Sequence, residues 1–152
     1  MKKIRKPKPV IGRKDRIDLP ELKLEDLDAK VDTGAYTSAL HCHNLTVIDR
    51  DGAEWVRFNL LDPEHPQYNE KAYCLPVHTR RVIKNSFGTS EERITIITKV
   101  IVFGKEYPLE MSLSNRSDLK YPVLLGRKFL RSRFVVDVNK TLLSFRKKTT
   151  DI

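Results

Sequence analysis

The sequence contains few cysteines and no long hydrophobic run. Its 152 residues include only Cys42 and Cys74, too few for a disulfide scaffold in a chain that can bury a core. No apolar stretch approaches the roughly 20 residues that a membrane-spanning helix needs. The basic start of the chain is not followed by the apolar stretch and cleavage site of a signal peptide. We therefore expect a cytoplasmic protein with no membrane partner.

Glycine is also scarce, and its six positions are scattered along the chain. A phosphate-binding loop needs clustered glycines before a helix that carries a lysine, and no segment shows that pattern. The sequence therefore gives no support for an ATP site. It also lacks the His-Glu-x-x-His signature of many zinc peptidases.

Positive charge is in excess, with 29 Lys and Arg against 20 Asp and Glu and a net charge of +9. Such a field favours an acidic partner. Because no recognised nucleic-acid motif occurs, nucleic acid is the less favoured of the acidic partners.

The length of the chain corresponds to one domain.

Short β-branched and aromatic runs separated by turn residues predict an all-β domain over residues 10–148. Residues 1–9 are basic and interrupted by two prolines, which predicts a flexible tail, and residues 149–152 form a second tail. Turns are expected at 51–52, 103–105 and 138–141, and residues 85–92 read as an exposed hairpin tip. One short helix is expected at 127–130. The predicted strands are 10–12, 17–19, 29–32, 38–47, 54–61, 71–82, 93–103, 106–113, 122–125, 134–138 and 141–145.

The tripeptide Asp32-Thr33-Gly34 follows the apolar strand end Ala29-Lys30-Val31. An aspartate at such a tight turn is open to close approach by backbone amides. Asp-Thr-Gly alone is also a common turn sequence. A second element, Leu124-Leu125-Gly126-Arg127, lies about ninety residues later and precedes the expected helix.

The order of these two elements, with hairpins between them, resembles the retropepsin-type aspartic proteases. That resemblance implies a closed β-barrel in which Leu124, Leu125 and Gly126 support the aspartate loop. A longer resemblance, through Val10-Ile11-Gly12-Arg13, residues 29–41 and residues 81–88, is to the bacterial family labelled ATP-dependent zinc protease. Its members are often encoded beside RimK, an ATP-grasp ligase that adds glutamates to a ribosomal protein.

An aspartic mechanism needs two carboxylates, and the sequence has no second Asp-Thr-Gly or Asp-Ser-Gly. Retropepsins bring two copies of the aspartate together across a two-fold axis, so the resemblance implies a homodimer with Asp32 as the catalytic base. It further implies that Thr33 hydrogen-bonds across the axis and that the Gly34 amide reaches the carboxylate. Ala35 would line the substrate groove, and Arg127 would support the dimer.

The zinc alternative depends on the segment His41-Cys42-His43. On a strand, His41 and His43 project from one face and Cys42 from the other, so all three cannot bind one metal. The two histidines are weak zinc candidates, with help from His65, His78 or Cys74, and we otherwise expect no cofactor. Cys42 and Cys74 are expected to be buried structural thiols rather than nucleophiles.

Arginine and lysine flank the predicted 85–92 loop. Arg81, Lys84 and Arg93 are expected to bind an acidic substrate, because guanidinium groups pair well with carboxylates, although Arg80 and its neighbours also fit a solvated face. The sequence thus predicts a homodimeric aspartic peptidase for acidic, oligoglutamate-type peptides. A non-catalytic module that binds acidic tails and a zinc metallopeptidase are the alternatives.

Overall fold

In a computed structural model, the described residues are 7–84, 86–115 and 120–150. Most of the predicted N-terminal tail, Asn85 of the predicted hairpin tip and the last two residues lie outside this description. The elements of the described part are β1 (Val10–Ile11), β2 (Lys14–Leu19), a 3-10 helix (Pro20–Leu22), β3 (Leu24–Val31), β4 (Ser38–Arg50), β5 (Ala53–Leu60), β6 (Ala72–Pro76), β7 (Thr79–Lys84), β8 (Ser90–Val102), β9 (Lys105–Ser114), β10 (Val123–Leu125), α1 (Arg127–Leu130), β11 (Val135–Val136) and α2 (Leu143–Thr150).

Six of these strands close into a barrel. The pairing runs β10–β3–β2–β8–β9–β4 and returns from β4 to β10. Strand alternation sends one set of side chains inward: on β9, Leu109, Met111 and Leu113 are buried. Their burial with apolar residues of the other strands forms one core. The prediction of an all-β closed barrel is confirmed.

Two hairpins extend from the barrel. Strands β4 and β5 meet at the predicted Asp51-Gly52 turn, where Gly52 has a φ of 85° and its N–H donates to Asp49 Oδ1 at 2.9 Å. Strands β7 and β8 pair from Thr79–Thr95 to Lys84–Ser90. We call the described residues of this second hairpin, 79–84 and 86–95, the flap. The predicted strand 71–82 is therefore two strands, divided at Val77 and His78.

The C-terminal segment differs from prediction. Residues 141–145 were expected to form a strand, whereas Leu143 begins helix α2. The cause is distant in sequence: Asp15 on β2 is buried and accepts hydrogen bonds from the N–H groups of Ser144 and Phe145 at 2.9 and 3.0 Å. A carboxylate at a helix N-terminus satisfies donors that the helix itself leaves open.

Two smaller predictions also differ from the structure because of helix α2. The expectation of one short helix is wrong, because the described residues contain α1 and α2. The expected turn at 138–141 is present, with Lys140 N–H donating to Asp137 O at 3.1 Å, but it leads into the helix instead of a strand. Thr149 and Thr150 belong to the helix. No helix in the described ranges is long and apolar enough to cross a bilayer.

Candidate active site

The loop that carries Asp32 begins where β3 ends and leads directly into β4. The Asp32 N–H donates to Leu125 O at 2.9 Å, which fixes the start of the loop against β10. The Gly34 N–H donates to Asp32 Oδ1 at 3.0 Å. A Cβ at Gly34 would stand 3.2 Å from that same oxygen. The turn therefore holds a partly exposed carboxylate in one orientation, by the Gly34 contact that the resemblance implies.

Strand β10 lies between the two strands that flank this loop. It pairs in parallel with β3, where Leu125 is opposite Val31, and antiparallel with β4, where Leu124 is opposite Ala39. Both ends of the Asp32 loop are thus hydrogen-bonded to one short strand. Leu124 and Leu125 thus lie against both strands that flank the loop, and their supporting role in catalysis stays a prediction.

Gly126 continues this support beyond β10. Its N–H donates to Ser38 Oγ at 3.0 Å, and a Cβ here would lie 2.8 Å from Tyr36 O and from Thr37 C. The next two residues, Arg127 and Lys128, donate their N–H groups to Ala35 O and Tyr36 O at 2.8 and 2.9 Å. Only glycine permits this close approach, so the start of α1 is fastened to the loop through the backbone.

The Arg127 side chain reinforces the same loop. Its Nη1 donates to Thr33 O at 2.9 Å, and its guanidinium lies 5.8 Å from the centroid of the Tyr36 ring. Within one chain, Arg127 therefore steadies the segment that begins with Asp32. The roles of Arg127 and Thr33 across a dimer axis remain predictions.

A groove of about 450 Å³ lies between this loop and the flap. Ala35 of the loop lines it, as do Arg81 and Arg93 of the flap. These two arginines are directly opposite each other on β7 and β8, so they share one face of the hairpin. The complete lining is Ala35, Tyr36, Thr37, Ala39, Arg81, Glu91, Arg93, Ser112, Leu113, Ser114 and Leu124.

The other cations of the flap lie elsewhere. Lys84 is three residues from Arg81 on β7, so strand alternation turns it to the opposite face, and it does not line the groove. Arg80 is also on that opposite face, where it forms ion pairs with Glu54 and Glu92. The structure thus separates Arg81 and Arg93 from two neighbouring charges that the sequence grouped with them.

Sequence reasoning missed part of the groove. Ser112 and Ser114, both on β9, also line it. The two serines could have been found from the alternation of β9, because Met111 and Leu113 are typical inward-facing residues and their neighbours must face outward.

The predicted zinc candidates lie on β4. His41 is buried, and His43 stacks on Tyr68 with a ring-centroid distance of 5.9 Å. Within the described ranges, no group of three or more His, Cys, Asp and Glu side chains is arranged to hold a metal ion. A zinc role for the histidines stays a prediction.

Cys42 is a buried residue of the core, as expected, whereas Cys74 is only half-buried. Burial raises the pKa of the Cys42 thiol to about 12. A backbone hydrogen bond from Ser114 acts in the opposite direction but offsets only part of this rise in pKa. We predict that iodoacetamide at pH 8 labels Cys74 much faster than Cys42 in the folded protein, because the thiolate is the reactive form. Mass spectrometry of the labelled peptides measures this ratio, and equally fast labelling of both thiols would contradict the assignment.

An Asp-Thr-Gly loop braced by an inserted strand, with a hairpin flap across a groove, defines a retropepsin-like aspartic peptidase fold. The chain belongs to the RimB-like family, whose model, "Retropepsin-like aspartic endopeptidase RimB", matches residues 10–147.

Its relatives place the same domain in longer proteins. It is 37% identical over 134 residues to a protein of Desulfotalea psychrophila and 34% identical over 134 residues to one of Parasynechococcus marenigrum, both named "Probable alpha-L-glutamate ligase". The matches cover 86% of this chain but 28% of each relative. The chain therefore spans about 28% of the length of these curated relatives.

A solved structure has the same fold over nearly its whole length. It is Lpg0085 of Legionella pneumophila, a protein described as having unknown function. The TM-score is 0.72 at 25% sequence identity, and the match covers 90% of this chain and 98% of that one. The similarity supports the β-barrel fold.

Proposed function

We propose that this chain is an aspartic peptidase that acts as a homodimer on acidic, oligoglutamate-type peptides. The groove supports the proposal, because Ala35, Tyr36 and Thr37, which follow Asp32 in the same loop, line it together with Arg81 and Arg93 of the flap. A retropepsin-like loop thus adjoins a paired set of cations.

The proposed chemistry needs two Asp32 carboxylates, one from each protomer. At about 3 Å they share a single proton, since both cannot be ionised together. The ionised carboxylate takes a proton from water as the oxygen attacks the carbonyl carbon, and the protonated one donates to the carbonyl oxygen. Collapse of the tetrahedral intermediate breaks the C–N bond, the amine leaves with a proton, and the products are a carboxylic acid and an amine. The Gly34 N–H holds the carboxylate in place throughout.

The two arginines of the flap are the reason for proposing an acidic substrate. Arg81 and Arg93 both face the groove, and an arginine can hold a carboxylate through two parallel hydrogen bonds. The names of the relatives point to the same chemistry, because a glutamate ligase forms amide bonds to glutamate. A peptidase of this class would hydrolyse amide bonds of that kind.

Both cysteines are free thiols, which is typical of proteins in a reducing compartment, so the proposed location is the cytoplasm.

Removing both groove arginines should weaken binding selectively. For the double variant Arg81→Ala/Arg93→Ala we expect the KM for an oligoglutamate peptide to rise about a hundredfold, since each lost charge-assisted pair is worth about 1.5 kcal/mol or more. Lys84→Ala is the matched control, because it removes a cation from the same strand on the other face, and it should leave the KM nearly unchanged. Equal effects of the double variant and the control would contradict the assignment.

The function itself is tested by incubating the protein with an oligoglutamate-tailed peptide, with and without a chelator, and identifying products by mass spectrometry. Cleavage that resists the chelator supports the aspartic mechanism. Chelator-sensitive cleavage would favour the zinc metallopeptidase. Tight binding without cleavage in dimeric protein would favour a binding module, for which the same two arginines suffice.

A further inference from the structure

A partly buried carboxylate connects the base of the flap to the helix that supports the Asp32 loop. Glu110 lies on β9, two residues before the groove residue Ser112, and its side chain is only 14% exposed. One oxygen, Oε1, lies 3.1 Å from His78 Nε2 and accepts a hydrogen bond from Lys128 Nζ at 3.0 Å. Both contacts meet at a single atom.

The two partners of Glu110 belong to opposite sides of the groove. His78 immediately precedes β7, and its N–H donates to Thr95 O at 2.8 Å, so it is fixed to the base of the flap. Lys128 lies on α1, and its N–H donates to Tyr36 O in the loop that carries Asp32. Glu110 is the shared acceptor between these two segments.

The Glu110 carboxylate is less exposed than the carboxylate of an ordinary surface ion pair. Such pairs contribute little to stability, as expected for Lys99 and Glu106, whose side chains are 54% and 51% exposed. The Glu110 side chain is 14% exposed at a position where three elements meet, while the side chains of His78 and Lys128 are each 45% exposed. A hydrogen bond from a charged group is stronger there because water competes less for the carboxylate.

We propose that Glu110 is a positioning residue that couples the flap to the Asp32 loop through His78 and Lys128, and so holds both sides of the groove in register. It does not touch the substrate. The inference rests on the proposed function for its effect on hydrolysis, but the coupling itself is a property of the protein without substrate. Small errors in the placement of reacting groups are costly to catalysis, so the coupling should affect turnover more than binding.

Hydrogen–deuterium exchange of the full chain tests the coupling without reference to activity. Glu110→Gln should speed exchange in residues 78–84 and 33–37 about tenfold, because it removes the charge that holds both segments. Glu106→Gln, which removes a carboxylate from the same strand at the exposed ion pair, should leave both segments unchanged. Equal protection in the Glu110 variant and the wild type would overturn the proposal.

A double-variant comparison separates coupling from general loosening. Lys128 lies on α1, next to the Asp32 loop. Even so, Lys128→Met should speed hydrogen exchange in flap residues 79–84 of the otherwise wild-type protein. Added to Glu110→Gln, it should have almost no further effect on that exchange. Independent, additive effects would overturn the proposal, since a merely structural carboxylate gives that result.

Kinetics supply the second readout. With an oligoglutamate peptide, Glu110→Gln should lower kcat about tenfold and leave the KM nearly unchanged, since Arg81 and Arg93 are intact. A rise in KM with an unchanged kcat would count against a positioning role. If the wild type hydrolyses no such peptide, the proposed function fails, while the exchange experiments still decide whether Glu110 couples the two segments.

Discussion

Replacement of Asp32 by asparagine is expected to reduce hydrolysis of an oligoglutamate peptide by about 10³-fold or more, with little change in fold or dimer. Asparagine has nearly the same size, and its Oδ1 can still accept the hydrogen bond that the Gly34 N–H donates to Asp32. It cannot take a proton from water at neutral pH, so the step that creates the nucleophile is lost. Initial rates, light scattering and thermal unfolding of the same preparation measure the three properties.

Asp28→Asn is the matched control for this variant. Asp28 lies four residues earlier on β3 and forms a half-exposed ion pair with Arg16 at 3.2 Å. Its loss should change the free energy of unfolding by less than about 1 kcal/mol and leave the rate unchanged. Activity retained by Asp32→Asn, or lost equally in both variants, would exclude Asp32 as the catalytic base.

The second large effect is expected from Gly126→Ala. The added Cβ would lie 2.8 Å from Tyr36 O and Thr37 C and 3.0 Å from Ala35 O. These are backbone atoms, so the loop that follows Gly34 must move. We expect a loss of about 3 kcal/mol in the free energy of unfolding. The rate of hydrolysis by Gly126→Ala should fall at least as far as the rate of the double variant Arg81→Ala/Arg93→Ala, even at temperatures where Gly126→Ala is fully folded.

Gly104→Ala provides the comparison. Gly104 lies in the β8–β9 turn with a φ of 72°, and a Cβ there meets nothing within 4 Å. Alanine at this position should cost about 1 kcal/mol through backbone strain and leave kcat intact. Urea denaturation and rate measurements on both variants distinguish damage to the loop from a general loss of stability. Unchanged unfolding and kcat in Gly126→Ala would show that the close contact does not support the site.

The expectation that Leu124-Leu125-Gly126 lies against the Asp32 loop came from the resemblance to retropepsins, which depends on two short motifs in a fixed order. In the structure, the Asp32 N–H donates to Leu125 O, and Leu125 is opposite Val31. The catalytic role of these residues stays a prediction. The all-β class followed from repeated short apolar runs. Local patterns of this kind survive without knowledge of the tertiary structure.

The errors arose where distant contacts decide the outcome. Helix α2 was predicted as a strand because its N-terminus depends on Asp15, about 130 residues away in sequence, which no local pattern reveals. Lys84 was grouped with Arg81 and Arg93 by proximity, whereas alternation along β7 puts it on the other face. The link from His78 to Lys128 through Glu110 joins three separate elements, so only the folded chain displays it.

We propose that the active site is assembled from two chains, and mixed dimers distinguish this arrangement from a complete site within each chain. Wild type and Asp32→Asn are unfolded together in equal amounts, refolded so that subunits pair at random, and assayed at fixed total protein. If every working site needs both carboxylates, activity should fall to about one quarter of the pure wild type, the share of dimers with two intact chains. A value near one half would mean that each chain carries a complete site of its own, which would contradict this account.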